Sequence, residues 1–399
     1  MHDPRSIAEL GAPADAPRVE VSVVLPCRNE AETVGRCVRA ASDALRALGV
    51  SGEVLVVDNG STDASAVHAA EAGARVVAEP RVGYGNALLR GIDEARAPYV
   101  IMADADDSYD LSDLGPFVAA LREGADLVMG SRMKGRVEPG AMPWHHRWIG
   151  NPLLTGLLRL LFRGGVSDAH CGMRAFTRDA ARRMRLETGG MELASEMVIK
   201  AMLGGMRIVE IPITLRRDGR GRASHLRWFR DGWRHLRFML LFSPTQLFVV
   251  PGVLCMALGV LPLVALGAGP RKVGVLSFDV HYMALGSLLT ILGFQIVTTG
   301  IFAKVYSHAA RLYAPDRLIA LVARHFTLER GLAVGATLFL AGFVIDATIL
   351  VGWLESGMGS LDAMRPVIQA STLMIVGAQT IVSSFFLSML ELARREPSP

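Results

Sequence analysis

Four stretches of this chain are almost free of charge, and they constrain its architecture most. No Asp, Glu, Lys or Arg lies between Arg237 and Arg271, between Asp279 and Lys304, or from Pro366 to Leu390; Gly331 to Leu354 carries only Asp346. Each stretch reaches the roughly 20 residues that span a bilayer as a helix. We expect four transmembrane helices, at about 244–268, 280–303, 331–354 and 366–390. The 51% hydrophobic content and mean hydropathy of +0.34 are concentrated there. Met1 to Glu20 has no apolar run, so residues 1–18 read as a tail without a signal peptide. The 2–3 connection holds Lys304, Arg311, Arg317, Arg324 and Arg330, and the tail Arg394 and Arg395. The other two connections hold only Arg271 with Lys272, and Arg365. The positive-inside rule then predicts both termini, and residues 19–215, on the cytoplasmic side.

In residues 19–215, apolar β-rich runs alternate with helical patterns. Val21–Leu25, Val54–Val57, Arg75–Ala78, Tyr99–Ala103 and Asp126–Met129 read as strands. Ala31–Leu48, Asp63–Ala72, Asn86–Ala95 and a short segment near Leu111–Arg122 read as helices. Continuous apolar strands separated by helices predict an α/β fold with a parallel sheet covered on both faces. Ligands of such sheets bind beyond the carboxyl ends of the strands. Asn29 and Glu30, Asp58, and Asp104 with Asp106 fall there. Residues two apart in extended chain point the same way, so Asp104 and Asp106 aim at one point, where a hard cation, Mg2+ or Mn2+, would relieve their repulsion. Asp58 suits a ribose or base, and Ser61 or Asp63 suits a helix cap. Gly83-Tyr84-Gly85 lets a helix start close to a ligand or strand. No G-x-x-x-x-G-K-[ST] loop is present, which disfavours a P-loop enzyme. Cys27, Cys37, Cys171 and Cys255 form no CxxC pair and read as small buried hydrophobes.

Residues 216–242 hold eight arginines: 216, 217, 220, 222, 227, 230, 234 and 237. From Leu226 onward they share a helical pattern with Phe229, Trp233, Leu236 and Leu240, an interfacial helix attracted to anionic lipid. Arg220, Arg222 and His225 stand where a lipid phosphate would arrive. Trp144 to Phe162 reads as a second interfacial helix. Asp346 inside the third span has no assigned role.

The series Leu25-Pro26-Cys27-Arg28-Asn29-Glu30, Val56-Val57-Asp58-Asn59-Gly60-Ser61-Thr62-Asp63, Asp104-Ala105-Asp106 and Gly130-Ser131-Arg132 resembles family-2 glycosyltransferases. Asp168-Ala169-His170-Cys171-Gly172-Met173-Arg174, Glu192 to Met197 and Glu210-Ile211-Pro212-Ile213-Thr214 resemble the polyprenol-phosphate sugar synthases among them, the dolichol-phosphate mannose synthase group. Cys171, Met173 and Ser108 depart from the group's usual Ser, Phe and polar metal ligand, leaving the third ligand to Asp107 or water. The resemblance implies a nucleotide-sugar-binding GT-A type domain and a metal-dependent, inverting transfer of one sugar from a UDP- or GDP-sugar to a polyprenyl phosphate. It implies that Pro26, Asn29, Glu30, Asp58, Gly83 and Asp104 bind the nucleotide and that Asp104 and Asp106 hold Mg2+ or Mn2+. Asp106, Arg132 and Arg174 would be catalytic, with both arginines facing phosphates. Arg174, Arg220, Arg222 and His225 would receive the lipid phosphate. Membrane lipid is an expected partner, a homo-oligomer is possible, and no nucleic-acid partner is expected. A processive polysaccharide synthase would need Gln where Ser224 precedes Arg227-Trp228. A lipid-hydroxyl acceptor, or a non-catalytic lipid-binding or transport role, stand as alternatives.

Overall fold

The structure is a computed structural model that describes residues 19–162, 164–219, 228–309 and 327–395. Arg220, Arg222 and His225 lie outside them, as do Arg227, Arg311, Arg317 and Arg324. The chain divides into two compact units, Met1–Met239 and Leu240–Pro399.

The first unit is built on a seven-stranded sheet. Its strands are β1 (Val21–Cys27), β2 (Gly52–Asp58), β3 (Arg75–Ala78), β4 (Tyr99–Met102), β5 (Leu127–Val137), β6 (Arg174–Thr177) and β7 (Ile208–Leu215), in the order β3-β2-β1-β4-β6-β5-β7. All neighbouring pairs are parallel except those of β6, which runs antiparallel to β4 and β5. The α/β fold with a mostly parallel sheet is therefore present. The expected mostly parallel sheet is the one found; its antiparallel member, β6, is a four-residue strand too short to stand out in the sequence. Strands β1, β2 and β4 are apolar throughout their central residues because both faces are covered. Helices α1 (Val34–Ala47), α2 (Ser65–Glu71), α3 (Tyr84–Glu94) and α4 (Gly115–Arg122) provide that cover, α1 with Val34, Cys37, Val38, Ala41 and Leu45 turned inward at helical spacing.

Helix α2 starts two residues later than expected. Its first residue is Ser65, whose backbone N–H donates to the Asp63 carboxylate at 3.0 Å. Asp63 thus closes the turn before the helix without being its cap residue, and Ser61 serves elsewhere. Cys27, Cys37 and Cys171 are buried free thiols, and burial pushes their pKa up to about 12, 12 and 11. They are inert at neutral pH.

Residues 144–162 are not one regular helix. A π-helical turn, His146–Gly150, leads into α5 (Asn151–Phe162). Thr155, Leu158 and Leu161 pack inward, while Trp144, Trp148, Leu153 and Leu160 are each about 70% exposed. After α6 (Arg178–Met184) and α7 (Leu193–Leu203), the helix Trp228–Leu241 turns His235 and Met239 inward and leaves Trp233 exposed. Of the apolar stripe read from the sequence, Trp233 is exposed while Leu236 and Leu240 are half-buried.

In the second unit, Thr245–Ala265, Val280–His308, Leu328–Glu355 and Met364–Leu390 are long and apolar enough to cross a membrane. A short hairpin, Arg271–Val273 with Leu276–Phe278, joins the first two.

Candidate active site

Three loops meet at the carboxyl ends of β1, β2 and β4. The first two are locked together. Asn29, at φ +57°, donates its N–H to the Ser61 hydroxyl at 2.9 Å and accepts from the Thr62 N–H at 2.7 Å. The Glu30 N–H donates to the Ser65 hydroxyl at 2.7 Å. Asp58 ends β2 and its carboxylate receives the Ser61 N–H. Pro26 is in β1, opposite Val57. The expected nucleotide residues Pro26, Asn29, Glu30 and Asp58 therefore line one edge of the sheet, with Asn29 doing structural service.

Asn59 was not singled out by sequence reasoning and organises the next loop. Its amide donates to the carbonyls of Glu79 and Arg81, both at 2.9 Å, and accepts the Gly83 N–H at 2.7 Å. Asn59-Gly60 reads as a tight turn, and nothing local reveals a partner 24 residues away. Gly83 has φ +155°, and a Cβ there would stand 2.2 Å from the Gly189 carbonyl oxygen. The glycines at the start of α3 thus admit the close approach of the 188–190 loop.

Beyond β4, Asp104 and Asp106 lie in the loop that crosses this edge. The half-buried Tyr84 donates its hydroxyl to Asp104 Oδ1 at 2.9 Å. Both carboxylates bear on that hydroxyl and, behind burial, raise its pKa. Asp104 Oδ2 lies against Gly172, where a Cβ would come within 2.7 Å. The Gly172 N–H donates to the buried Tyr109 hydroxyl at 2.8 Å. Asp106 is buried and accepts the Ser108 N–H and hydroxyl, at 3.1 and 2.5 Å. Asp107, at φ +62°, pairs with Arg36 at 3.1 Å. Two of the candidates for a third metal ligand are thus engaged: the Ser108 hydroxyl closes the loop and Asp107 faces Arg36. The two carboxylates that would hold a metal, Asp104 and Asp106, are oxygen donors, a type that fits Mg2+ or Mn2+.

Tyr84 fixes one of those carboxylates. Tyr84→Phe is expected to weaken Mn2+ binding about tenfold, the scale on which a ligand's hydrogen-bonding support acts, with Tm unchanged. Mn2+ titration followed by electron paramagnetic resonance measures it; wild-type affinity in Tyr84→Phe would deny Tyr84 this part.

The two arginines expected to face phosphates are placed differently. Arg132, in β5, forks onto Asp168: Nε and Nη2 each donate at 2.7 Å, and the Arg132 N–H adds a third bond at 3.0 Å. Arg174 is fully buried. Its guanidinium donates to the carbonyls of Cys171, Ala194 and Ala169 at 2.8, 2.5 and 2.8 Å. Both guanidinium groups are turned to the protein because the 168–174 loop presents a carboxylate and two carbonyls, and α7 a third carbonyl at Ala194, that need donors. Glu210 supports the same loop, accepting from the Ser167 N–H and hydroxyl and pairing with Lys134 at 2.7 Å.

A buried polar cluster joins that loop to α7 and the helix Trp228–Leu241. Ser195 Oγ is 2.8 Å from His235 Nδ1 and 3.4 Å from His170 Nε2, and the two imidazoles meet edge to face at 4.7 Å. His170 Nδ1 has no partner among the described residues. Burial, then His235, Arg174 and Arg132, hold the His170 pKa well below its ordinary value. The unfolded chain therefore takes up this proton first as pH falls through about 6.5. Stability should fall on acidification below that point, by up to about 1.4 kcal/mol per pH unit from this group. Melting temperatures at pH 7.5 and 5.5 are expected to differ less in His170→Asn than in the wild type; equal differences would deny the effect to His170.

Comparison with known proteins agrees with this architecture. Residues 22–185 match the family "Glycosyl transferase family 2", and residues 301–391 match "Glycosyltransferase family 2 C-terminal transmembrane region". The chain is 39% identical over 372 residues to the low-salt glycan biosynthesis hexosyltransferase Agl6 of Haloferax volcanii, covering 93% of this chain and 89% of that one. It is 31% identical over 197 residues to a dolichyl-phosphate hexose transferase of the same organism, covering 49% and 80%. Among solved structures, glucosyl-3-phosphoglycerate synthase from Mycobacterium tuberculosis, in complex with Mn2+, UDP-glucose and phosphoglyceric acid, aligns with a TM-score of 0.47 at 24% identity, over 56% of this chain and 79% of that one. The family matches, with four helices long and apolar enough to cross a membrane, define a membrane glycosyltransferase. The chain belongs to glycosyltransferase family 2, its GT-A type domain followed by four transmembrane helices.

Proposed function

We propose that the protein transfers one hexose from a nucleotide diphosphate-sugar to a polyprenyl phosphate, giving a polyprenyl-phosphate-linked monosaccharide. The observation that carries this reading is the convergence of Asp58, Asp104 and Asp106 at one edge of a sheet in a chain that continues into four membrane helices. The resemblance of the 168–174 loop to polyprenol-phosphate sugar synthases, and the relative named as a dolichyl-phosphate hexose transferase, support it.

Asp58 would hold the ribose or base, with Pro26, Asn29, Glu30 and Gly83 around it. Asp104 and Asp106 would hold Mg2+ or Mn2+, which when bound offsets the charge developing on the nucleoside diphosphate. Asp106 keeps its acceptor geometry through Ser108, and Asp104 through Tyr84. The acceptor needs no general base: a phosphate monoester is largely dianionic at neutral pH, its second pKa being about 6. A single in-line displacement inverts the anomeric centre. Arg132 and Arg174 act here by fixing the 168–174 loop against Asp104, and the acceptor phosphate meets the basic segment that includes Arg220, Arg222 and His225. Residues 19–215 and both termini are cytoplasmic in this proposal, with 216–242 and the exposed face of 144–162 at the bilayer surface.

The test is a donor screen with purified protein, polyprenyl phosphate, Mg2+ or Mn2+ and radiolabelled UDP- and GDP-sugars. Label should enter a mild-acid-labile lipid from one donor. Label in an acid-stable glycolipid would favour a lipid-hydroxyl acceptor, and no lipid label from any donor would refute sugar transfer to lipid.

A further inference from the structure

The membrane unit carries a polar stripe where hydrocarbon is expected. The second and fourth spans meet through Ser287 and Thr372, whose hydroxyls are 2.7 Å apart, and through the rings of Phe302 and Phe386 at 4.7 Å. Both contacts occur in the same order along both helices, so these spans run parallel. Between the two contacts lies a groove of about 520 Å3 lined by Gln295, Thr298, Thr299, Gln379 and Ser383, with Ala378 and Val382. Gln295 and Thr299 are one turn apart on one helix, and Gln379 and Ser383 one turn apart on the other, so each pair lies on one helix face. Gln295 and Gln379 fall near the middle of the 29-residue and 27-residue spans.

Among the described residues most of these groups have no hydrogen-bond partner, unlike membrane-embedded polar groups in general. Gln295 and Thr299 are exposed on the outside of the helices. Gln379 Oε1 is buried with no hydrogen-bond partner among the described residues. Thr298 alone turns its hydroxyl back to its own helix, to the carbonyls of Phe294 and Gln295. Close packing inside the unit uses other faces: Gly252 and Gly259 of the first span lie against Gly293 and Gly286 of the second, and Gly335 of the third against Gly377 of the fourth. A row of amides and hydroxyls facing acyl chains is unfavourable, since lipid offers them no partner.

We propose that this stripe is where two copies of the chain meet in the bilayer. Every lining group is neutral, so a phosphate-bearing lipid would find no cation there. Amides and hydroxyls both donate and accept, so the stripe is complementary to itself, as a two-fold interface between identical surfaces requires. Polar side chains of this kind join membrane helices by hydrogen bonds. The inference rests on the second unit alone and does not depend on the reaction proposed above.

The full chain, purified in native lipid particles, is expected to have at least twice the 42.9 kDa protein mass of one copy. Gln295→Leu with Gln379→Leu should reduce it to one copy. Thr337→Val should not, because that exposed hydroxyl already bonds to the Ala333 carbonyl of its own helix at 2.8 Å. Thr299→Cys, with Cys255→Ala, should give a cross-linked dimer with a short thiol reagent, and this keeps the proposal open to refutation if the double variant does not fold. A wild type of single-copy mass, an assembly that survives both leucines, or no Thr299→Cys dimer would overturn it, leaving the groove as a hydrated or lipid-facing cavity.

Discussion

Asp104→Asn is expected to lower sugar transfer by roughly 10²–10³-fold, the usual scale for removing one group that stabilises charge developing in the transition state, with little change in Tm. The substitution keeps the shape of the side chain and its ability to accept the Tyr84 hydroxyl, which stands 2.9 Å from Oδ1. What it removes is the negative charge that Asp104, in the proposed reading, contributes with Asp106 to a bound cation. Charge is what a divalent cation needs from a two-carboxylate site, so the loss should appear as a weaker apparent metal affinity and a lower maximal rate. Asp106→Asn should behave alike, with a modest stability loss added, because Asp106 also closes its own loop through the Ser108 N–H and hydroxyl. The measurement is label transfer across a Mn2+ titration for wild type and both variants. Undiminished transfer in Asp104→Asn, or full wild-type activity in EDTA, would remove the metal from the mechanism.

The parts of this site that sequence made legible are those set by neighbours in the chain. Sequence position put Asp104 and Asp106 in the loop after β4 and Asn29, Glu30 and Asp58 at the ends of β1 and β2, where the structure has them. The four spans followed from the absence of charge over lengths sufficient to cross a bilayer. What sequence left open depends on contacts between distant segments. An arginine after a β-strand looks the same whether it faces a phosphate or an aspartate 36 residues away, as Arg132 does. Arg174 reads as a phosphate ligand until the carbonyls of Ala169, Cys171 and Ala194 are seen around it. His235 sits in a segment dominated by arginine, and only its approach to Ser195 marks it out. Strand β6 is hidden for the same reason: it pairs with β4 and β5, both far away in the chain, and has only four residues to show for it.

Asp168→Ala is expected to destabilise the protein by about 3–5 kcal/mol, the cost of breaking a buried ion pair from one side. On the scale of a domain this size that is a fall in Tm of roughly 10 °C. The Asp168 side chain is fully buried and that of Arg132 is 11% exposed, so water cannot take over the guanidinium when the carboxylate is gone. Three hydrogen bonds disappear together, one of them to the Arg132 backbone. Their loss frees the loop that holds Gly172 against Asp104, so activity should fall with stability. Removing both partners tests the assignment. Arg132→Met with Asp168→Leu leaves no unpaired charge and should recover most of the lost Tm, as apolar replacements of buried pairs do. Had Arg132 served as a phosphate ligand, Arg132→Met alone would abolish transfer without lowering Tm, and the double variant would be as inactive. A clamp predicts the reverse order: Arg132→Met lowers Tm, and the double variant regains activity in step with its stability.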